Sequence, residues 1–204
     1  MIKIAVLGLM IWTIPCFAQD YAYLVPEGWQ IIDVQVGDLN KDQVDDVAMI
    51  VEFTGDVAMP PRSLIIAFKT ADGYSEPYRA DGVILGKYEG GTMGDPLQPM
   101  LIRRGTIVLS FSGGSRERWG FTYIFRYQKG DFQLIGATSS DGDPIEENYS
   151  NYDYNLSTGR IVITRTYGKE PARNETKELV KFLDPLPSLS TFSHHSTNLW
   201  EGIE

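Results

Sequence analysis

Short strand-length runs, cut at close intervals by glycine-containing turns, leave this chain little choice but a β-fold. Residues 100–103 and 106–112 flank Arg104-Gly105, and residues 119–128 and 132–139 flank Lys129-Gly130-Asp131. Residues 149–156 and 160–167 flank Ser157-Thr158-Gly159 in the same way. Each pair reads as a β-hairpin, because the turn residues supply the positive φ that closes two twisted strands. In the second pair Phe121, Tyr123, Phe125 and Tyr127 alternate with Thr122, Ile124 and Arg126, so a period of two puts four aromatic rings on one face. Residues 30–36 and 176–183 add further strands, and Ala71-Asp72-Gly73 turns a strand over residues 63–70. Residues 47–53 are apolar almost without a break, which predicts a strand covered on both faces or lying in the sheet centre. Pro77 demotes part of residues 74–85 to a sheet edge. No helical period competes with these runs. The chain is therefore expected to be all-β, an antiparallel meander of about nine or ten strands forming a sandwich or a strongly curled sheet.

The first residues read as an address rather than as structure. Lys3 precedes an apolar run over residues 4–14, and Cys16-Phe17-Ala18 places small residues before Gln19. That run is shorter than the roughly 20 residues a membrane helix needs. The expectation is a signal peptide over residues 1–18, then one domain over residues 19–204 with an irregular tail from Ser188. The protein would be periplasmic or secreted, with no integral membrane segment after cleavage. A lipoprotein attached through Cys16 is the alternative, although Pro15 stands where a lipobox has a small residue. Cleavage after Ala18 removes the single cysteine, and with it disulfide and thiol chemistry. The formal charge of −9 argues against nucleic acid or anionic lipid as a partner, since both reward clustered lysine and arginine.

One loop carries recognisable chemistry. Asp38, Asn40, Asp42 and Asp46 alternate with other residues directly before the apolar strand that starts at Val47. Hard cations such as calcium take six to eight oxygens, and alternate residues of a tight loop can turn their oxygens inward. Residues 38–46 resemble the calcium loop of FG-GAP/VCBS-type repeats, D-x-[DN]-x-D-G-x-x-D, which likewise runs into an apolar strand. The resemblance implies one calcium ion held by Asp38, Asn40, Asp42, the Val44 carbonyl and Asp46. Gln43 departs from it, standing where the family has glycine for the sharp turn. An EF-hand does not fit, since the twelfth residue from Asp38 is Met49 rather than a bidentate glutamate. A single loop does not imply a propeller, which needs repeats. The bland alternative is a metal-free acidic turn, which Asx residues favour through their own backbone hydrogen bonds.

The other candidates are weaker. Residues 86–99 form the longest irregular stretch, and residues 113–120 a second glycine-rich loop with Arg116 and Arg118. A loop as long as residues 86–99 inside a compact domain is often functional, whereas residues 113–120 read mainly as a glycine turn between two hairpins. Asp141, Asp143, Glu146 and Glu147 offer carboxylates for glycoside hydrolysis, with Tyr149, Tyr152 and Tyr154 nearby as sugar-stacking rings. His194 and His195 are adjacent in the tail, lack a third ligand at zinc spacing, and read as surface residues. The functional expectation is a non-enzymatic exported binding module, stabilised by one calcium loop, that meets a protein or glycan ligand through residues 86–99, 113–120 or both. A secreted acidic inhibitor or immunity-like protein is the first alternative, and a glycan hydrolase the second.

Overall fold

The computed structural model describes residues 20–203; the expected leader, Cys16 included, lies outside them. Strands β1 (Trp29–Gly37), β2 (Asp46–Phe53) and β3 (Arg62–Ala67) come first, followed by the short β4 (Lys69–Thr70), β5 (Gly73–Tyr74) and β6 (Tyr78–Ala80). After a long loop the chain forms β7 (Leu101–Arg103), β8 (Thr106–Gly114), β9 (Arg118–Gln128) and β10 (Asp131–Asp143). It ends with β11 (Asn148–Asn155), β12 (Arg160–Tyr167), β13 (Glu175–Val180) and an irregular tail. Four strands pair as β1-β2-β3-β6, and seven as β13-β12-β11-β10-β9-β8-β7; β4 and β5 make a separate ribbon. Among the described residues every ladder is antiparallel, and no sheet closes into a barrel. The protein is all-β and sandwich-like, as the turns and alternation lead one to expect.

Alternation decides which side chains meet between the sheets. Ala48 and Ile50 of β2 and Leu64 and Ile66 of β3 join a core with Leu109, Phe111, Phe125, Phe132 and Ile161 of the larger sheet. The intervening Val47, Met49, Val51, Ile65 and Ala67 point the other way, into a second cluster roofed by Tyr21, Leu24 and Val25. The continuous apolar run of β2 is thus covered on both faces. Each such side chain contributes about 1.5–3 kcal/mol by leaving water. At one margin β1 bends at a bulge beside Ile32, and the Asp33 carboxylate accepts the Met100 N–H at 2.7 Å, tying the small sheet to the chain entering β7.

Two segments differ from expectation, and the first is residues 113–120, which do not form one loop: Gly113 and Gly114 close β8, residues 118–120 open β9, and residues 115–117 make the turn. The single strand expected over residues 63–70 breaks at Phe68, whose ring leaves the ladder to pack on Tyr127 and Phe132 at 4.8 and 5.9 Å. An aromatic contact in the core outweighs ladder continuity there. The tail is irregular, as read, yet firmly docked. Leu134 N–H bonds the Pro187 carbonyl at 2.9 Å, and Leu189 N–H bonds that of Phe132 at 2.8 Å. Phe192 then inserts against Tyr123 and Phe125, at 4.8 and 5.6 Å.

Candidate metal loop and binding cleft

The acidic loop joins β1 to β2 and is organised around two carboxylates with different tasks. Asp38 accepts the N–H groups of Lys41 and Asp42 on one oxygen, at 2.6 and 3.2 Å, and that of Gln43 on the other, at 3.0 Å. The chain therefore curls around Asp38. To do so it takes Lys41 and Gln43 to φ of 70° each, the left-handed region. That conformation costs an L-residue about 1–2 kcal/mol, which explains why the resembling loops carry glycine where Gln43 stands. Asn40 Oδ1 accepts the Asp42 N–H at 2.9 Å, Asn40 Nδ2 reaches Asp42 Oδ2 at 3.0 Å, and Asp42 Oδ1 accepts the Val44 N–H at 2.8 Å.

Asp46 is set apart by burial. It is 0% exposed, with Oδ2 accepting the N–H groups of Leu39 and Asn40 at 2.9 and 3.3 Å, and Oδ1 that of Lys69 at 2.9 Å. Burial pushes its carboxyl up from the ordinary value, against the lowering effect of those three N–H groups. Among the described residues no three His, Cys, Asp or Glu side chains stand together as a metal cluster. The donor chemistry nonetheless suits a hard cation, with two half-buried or exposed carboxylates and an amide oxygen on one curled loop. Of the four lone-pair sites of the Asp46 carboxylate these N–H groups take three, and one remains on Oδ1.

A second charged cluster holds the long loop against the small sheet. Arg62 is 4% exposed; its Nε donates to Glu52 Oε2 at 2.8 Å, and its two terminal nitrogens grip Asp95 at 2.8 and 2.6 Å. Burial opposes the guanidinium charge, but Asp95 and Glu52 outweigh it and hold the Arg62 pKa above its usual value. The Asp95 carboxyl is held below its ordinary range, first by Arg62. A hollow of about 510 Å³ opens beside this cluster, but its buried charges already satisfy one another. The role is architectural.

The long loop before β7 meets the end of β8. Gly114 N–H donates to the Gly90 carbonyl at 2.9 Å, and Thr92 Oγ1 to the Gly114 carbonyl at 3.0 Å. Beside this junction lies a cleft of about 400 Å³, walled by Leu85, Glu89, Trp119, Phe121, His194 and His195. Trp119 pairs with Gly113 across the ladder, and a Cβ on Gly113 would collide with the indole and with the Gly90 carbonyl. The bare glycine thus lets the indole lie over the neighbouring strand. Phe121 follows at 5.4 Å from Trp119, and His194 packs edge-on to Phe121 at 4.8 Å.

The reading of both histidines as surface residues is corrected for His194. It is partly buried, and its Nδ1 shares a hydrogen bond of 2.7 Å with the Tyr123 hydroxyl. Burial first, and His195 next, lower its pKa against the opposing pull of Glu89, while burial raises that of Tyr123. His195 is exposed, with Nε2 3.1 Å from Glu89. Glu89 also accepts the Gly86 N–H. Sequence spacing gives no sign of this cluster, because its members come from one loop, a strand and the tail. The cleft and the acidic loop sit at opposite ends of β8: Gly105 lies against the Asp38 carbonyl, while Gly113 carries Trp119. A strand of 9 residues separates them by about 30 Å.

The remaining sequence candidates have other engagements. Asp143 binds Arg116 at 2.9 Å and caps the backbone of Ile145 and Glu146, which lowers its pKa against burial. Arg116 is therefore paired rather than waiting for an anion, and Glu146 is paired with Lys169. Asp141 has its pKa raised, by burial above all, in a small hollow of about 180 Å³ that it shares with Glu117 and Tyr149. Tyr154, expected as a sugar-stacking ring, is instead fully buried and donates its hydroxyl to the Lys181 carbonyl at 2.7 Å. Tyr152 packs on Trp200, leaving Tyr149 as the exposed ring of the three. Among the described residues no helix is long and apolar enough to cross a membrane. Comparisons with family profiles, curated proteins and solved structures find no match to this chain.

Proposed function

We propose that the protein is an exported, non-enzymatic binding module, held at one end by a calcium loop and receiving its ligand at the other, in the Trp119 cleft. The observation that carries this reading is the meeting of residues 86–99 with residues 113–120 around a concave, aromatic-walled space. Ligand sites are typically clefts of about 300–1,000 Å³ with apolar walls and a few polar groups to fix orientation. Export rests on the leader pattern around Lys3 and Ala18. Calcium rests on the oxygen spacing of residues 38–46 and on the curl of the backbone around Asp38. Bound there, the ion would neutralise Asp38 and Asp42 and offset the strain at Lys41 and Gln43. At the far end of β8 it would have no direct contact with a ligand in the cleft.

Each half has its own test. A cation that binds only the folded chain stabilises it by mass action, by about 2.7 kcal/mol at a hundredfold excess over Kd. For a domain of this size that is roughly 5–10 °C in Tm. Millimolar calcium should therefore raise the wild-type Tm over an EDTA control and leave Asp42→Ala unmoved; equal melts with and without calcium would return the loop to a plain Asx turn. For the cleft, ligand-observed NMR on mixtures of small cations, sugars and aromatic acids should yield binders of the wild type that Trp119→Ala loses. A screen with no Trp119-dependent binder would remove the binding function.

A further inference from the structure

We infer that the Trp119 cleft is a site for a small organic cation of the alkylated ammonium class, an inference that rests on the cleft being the ligand site. The argument begins with charge. Of the lining residues Glu89 is the one acid, and neither lysine nor arginine contributes to the wall. His194 is turned to the core, where its Nδ1 is hydrogen-bonded to the Tyr123 hydroxyl, and burial lowers its pKa. A chain of net charge −9 adds a long-range field that concentrates cations and repels anions.

The shape of the wall narrows the class further. Trp119 and Phe121 present two tilted rings, 37° apart with centroids 5.4 Å from each other, so a rounded group can touch both. The π faces are the negative part of an aromatic ring and attract a cation, most strongly when water is excluded. A quaternary or heavily alkylated ammonium suits such a wall better than a primary amine does. Its methyl groups fill apolar contacts with Leu85 and the rings, and its diffuse charge is less costly to strip of water. Glu89 is steadied by the Gly86 N–H and by His195, and supplies the countercharge without leaving its place. Gly113 fixes the indole beforehand, so little ordering remains for binding to accomplish.

The test is a calorimetric and NMR titration of the purified protein with choline, with tetramethylammonium, and with the carbon isostere of choline, in which carbon replaces the quaternary nitrogen. Cellobiose and chitobiose serve as neutral sugars. Choline should bind at least about tenfold more tightly than its isostere, a difference of about 1.4 kcal/mol. Glu89→Gln should weaken choline about tenfold, Trp119→Phe by less, and Trp119→Ala below detection, with Tm values showing that each variant is folded. Equal binding of choline and its isostere would overturn the cation assignment and leave the cleft a binding site. So would a sugar that binds through Trp119 where choline does not. If no probe binds and the wider screen also finds no Trp119-dependent ligand, the cleft reading falls with the inference.

Discussion

Replacing Arg62 by methionine should destabilise the protein by about 3–5 kcal/mol, the range seen when one partner of a buried ion pair is removed. For a domain of this size the shift is roughly 6–20 °C in Tm. The cost arises mainly at Glu52, 7% exposed, which would keep its charge and lose its guanidinium partner at 2.8 Å. Methionine fills a similar volume, so the loss is electrostatic rather than a cavity. The double variant Glu52→Gln/Arg62→Met should accordingly recover much of the stability, since no bare buried charge remains. Acid titration gives a second signature. The depressed Asp95 carboxyl contributes stability that is present above its unfolded value near 3.8 and lost as pH falls below that through the folded value. That acid-side slope should flatten in Arg62→Met. Because Asp95 and the Leu85 carbonyl are both bonded to Arg62, the variant should also loosen residues 85–95 and weaken any ligand held by Leu85 and Glu89. Arg62→Met melting with the wild type would show that the cluster does not hold the loop.

The ease with which such features can be read from the chain depends on how far apart their parts lie. Hairpins such as Lys129-Gly130 are legible because the turn and both strands are contiguous, and because alternation declares which face is inward. The double burial of β2 is legible for the same reason: nothing polar interrupts residues 47–51. Phe68 defeats the same reasoning, because the rings that draw it from its strand belong to β9 and β10. Arg62 looks like a loop residue after Pro60-Pro61, and its importance comes from partners 10 and 33 residues away. The spacing of the acidic loop was legible as an oxygen pattern. That Asp46 turns into the backbone was not, since this depends on Lys69 arriving at the start of β4. Composition singled out the two glycine-rich stretches one at a time. Their meeting, and the return of His194 to Tyr123 across 71 residues, are facts of tertiary packing alone.

Within the acidic loop, Asp46→Ala and Asp42→Ala should separate scaffold from metal site. Asp46→Ala removes the acceptor for Leu39, Asn40 and Lys69 N–H groups, and Leu39 is fully buried. A buried donor left without a partner costs about 1–3 kcal/mol, so the variant should lose about 3 kcal/mol even in EDTA, after allowing for the burial of charge that alanine avoids. Asparagine is a poor rescue, because its amide turns a donor toward N–H groups that are themselves donors. Asp42 is exposed, and its bonds to Val44 and Asn40 can be replaced by water. Asp42→Ala in EDTA should therefore stay within about 1 kcal/mol of wild type and differ from it only when calcium is added. Melting all three proteins in both buffers tests this directly. If Asp46→Ala matches wild type in EDTA, its backbone bonds do not anchor the loop. If it is crippled in both buffers while Asp42→Ala is altered in calcium alone, then the fold builds the loop first through Asp46. The ion then enters an arrangement that the backbone of residues 38–46 has already made.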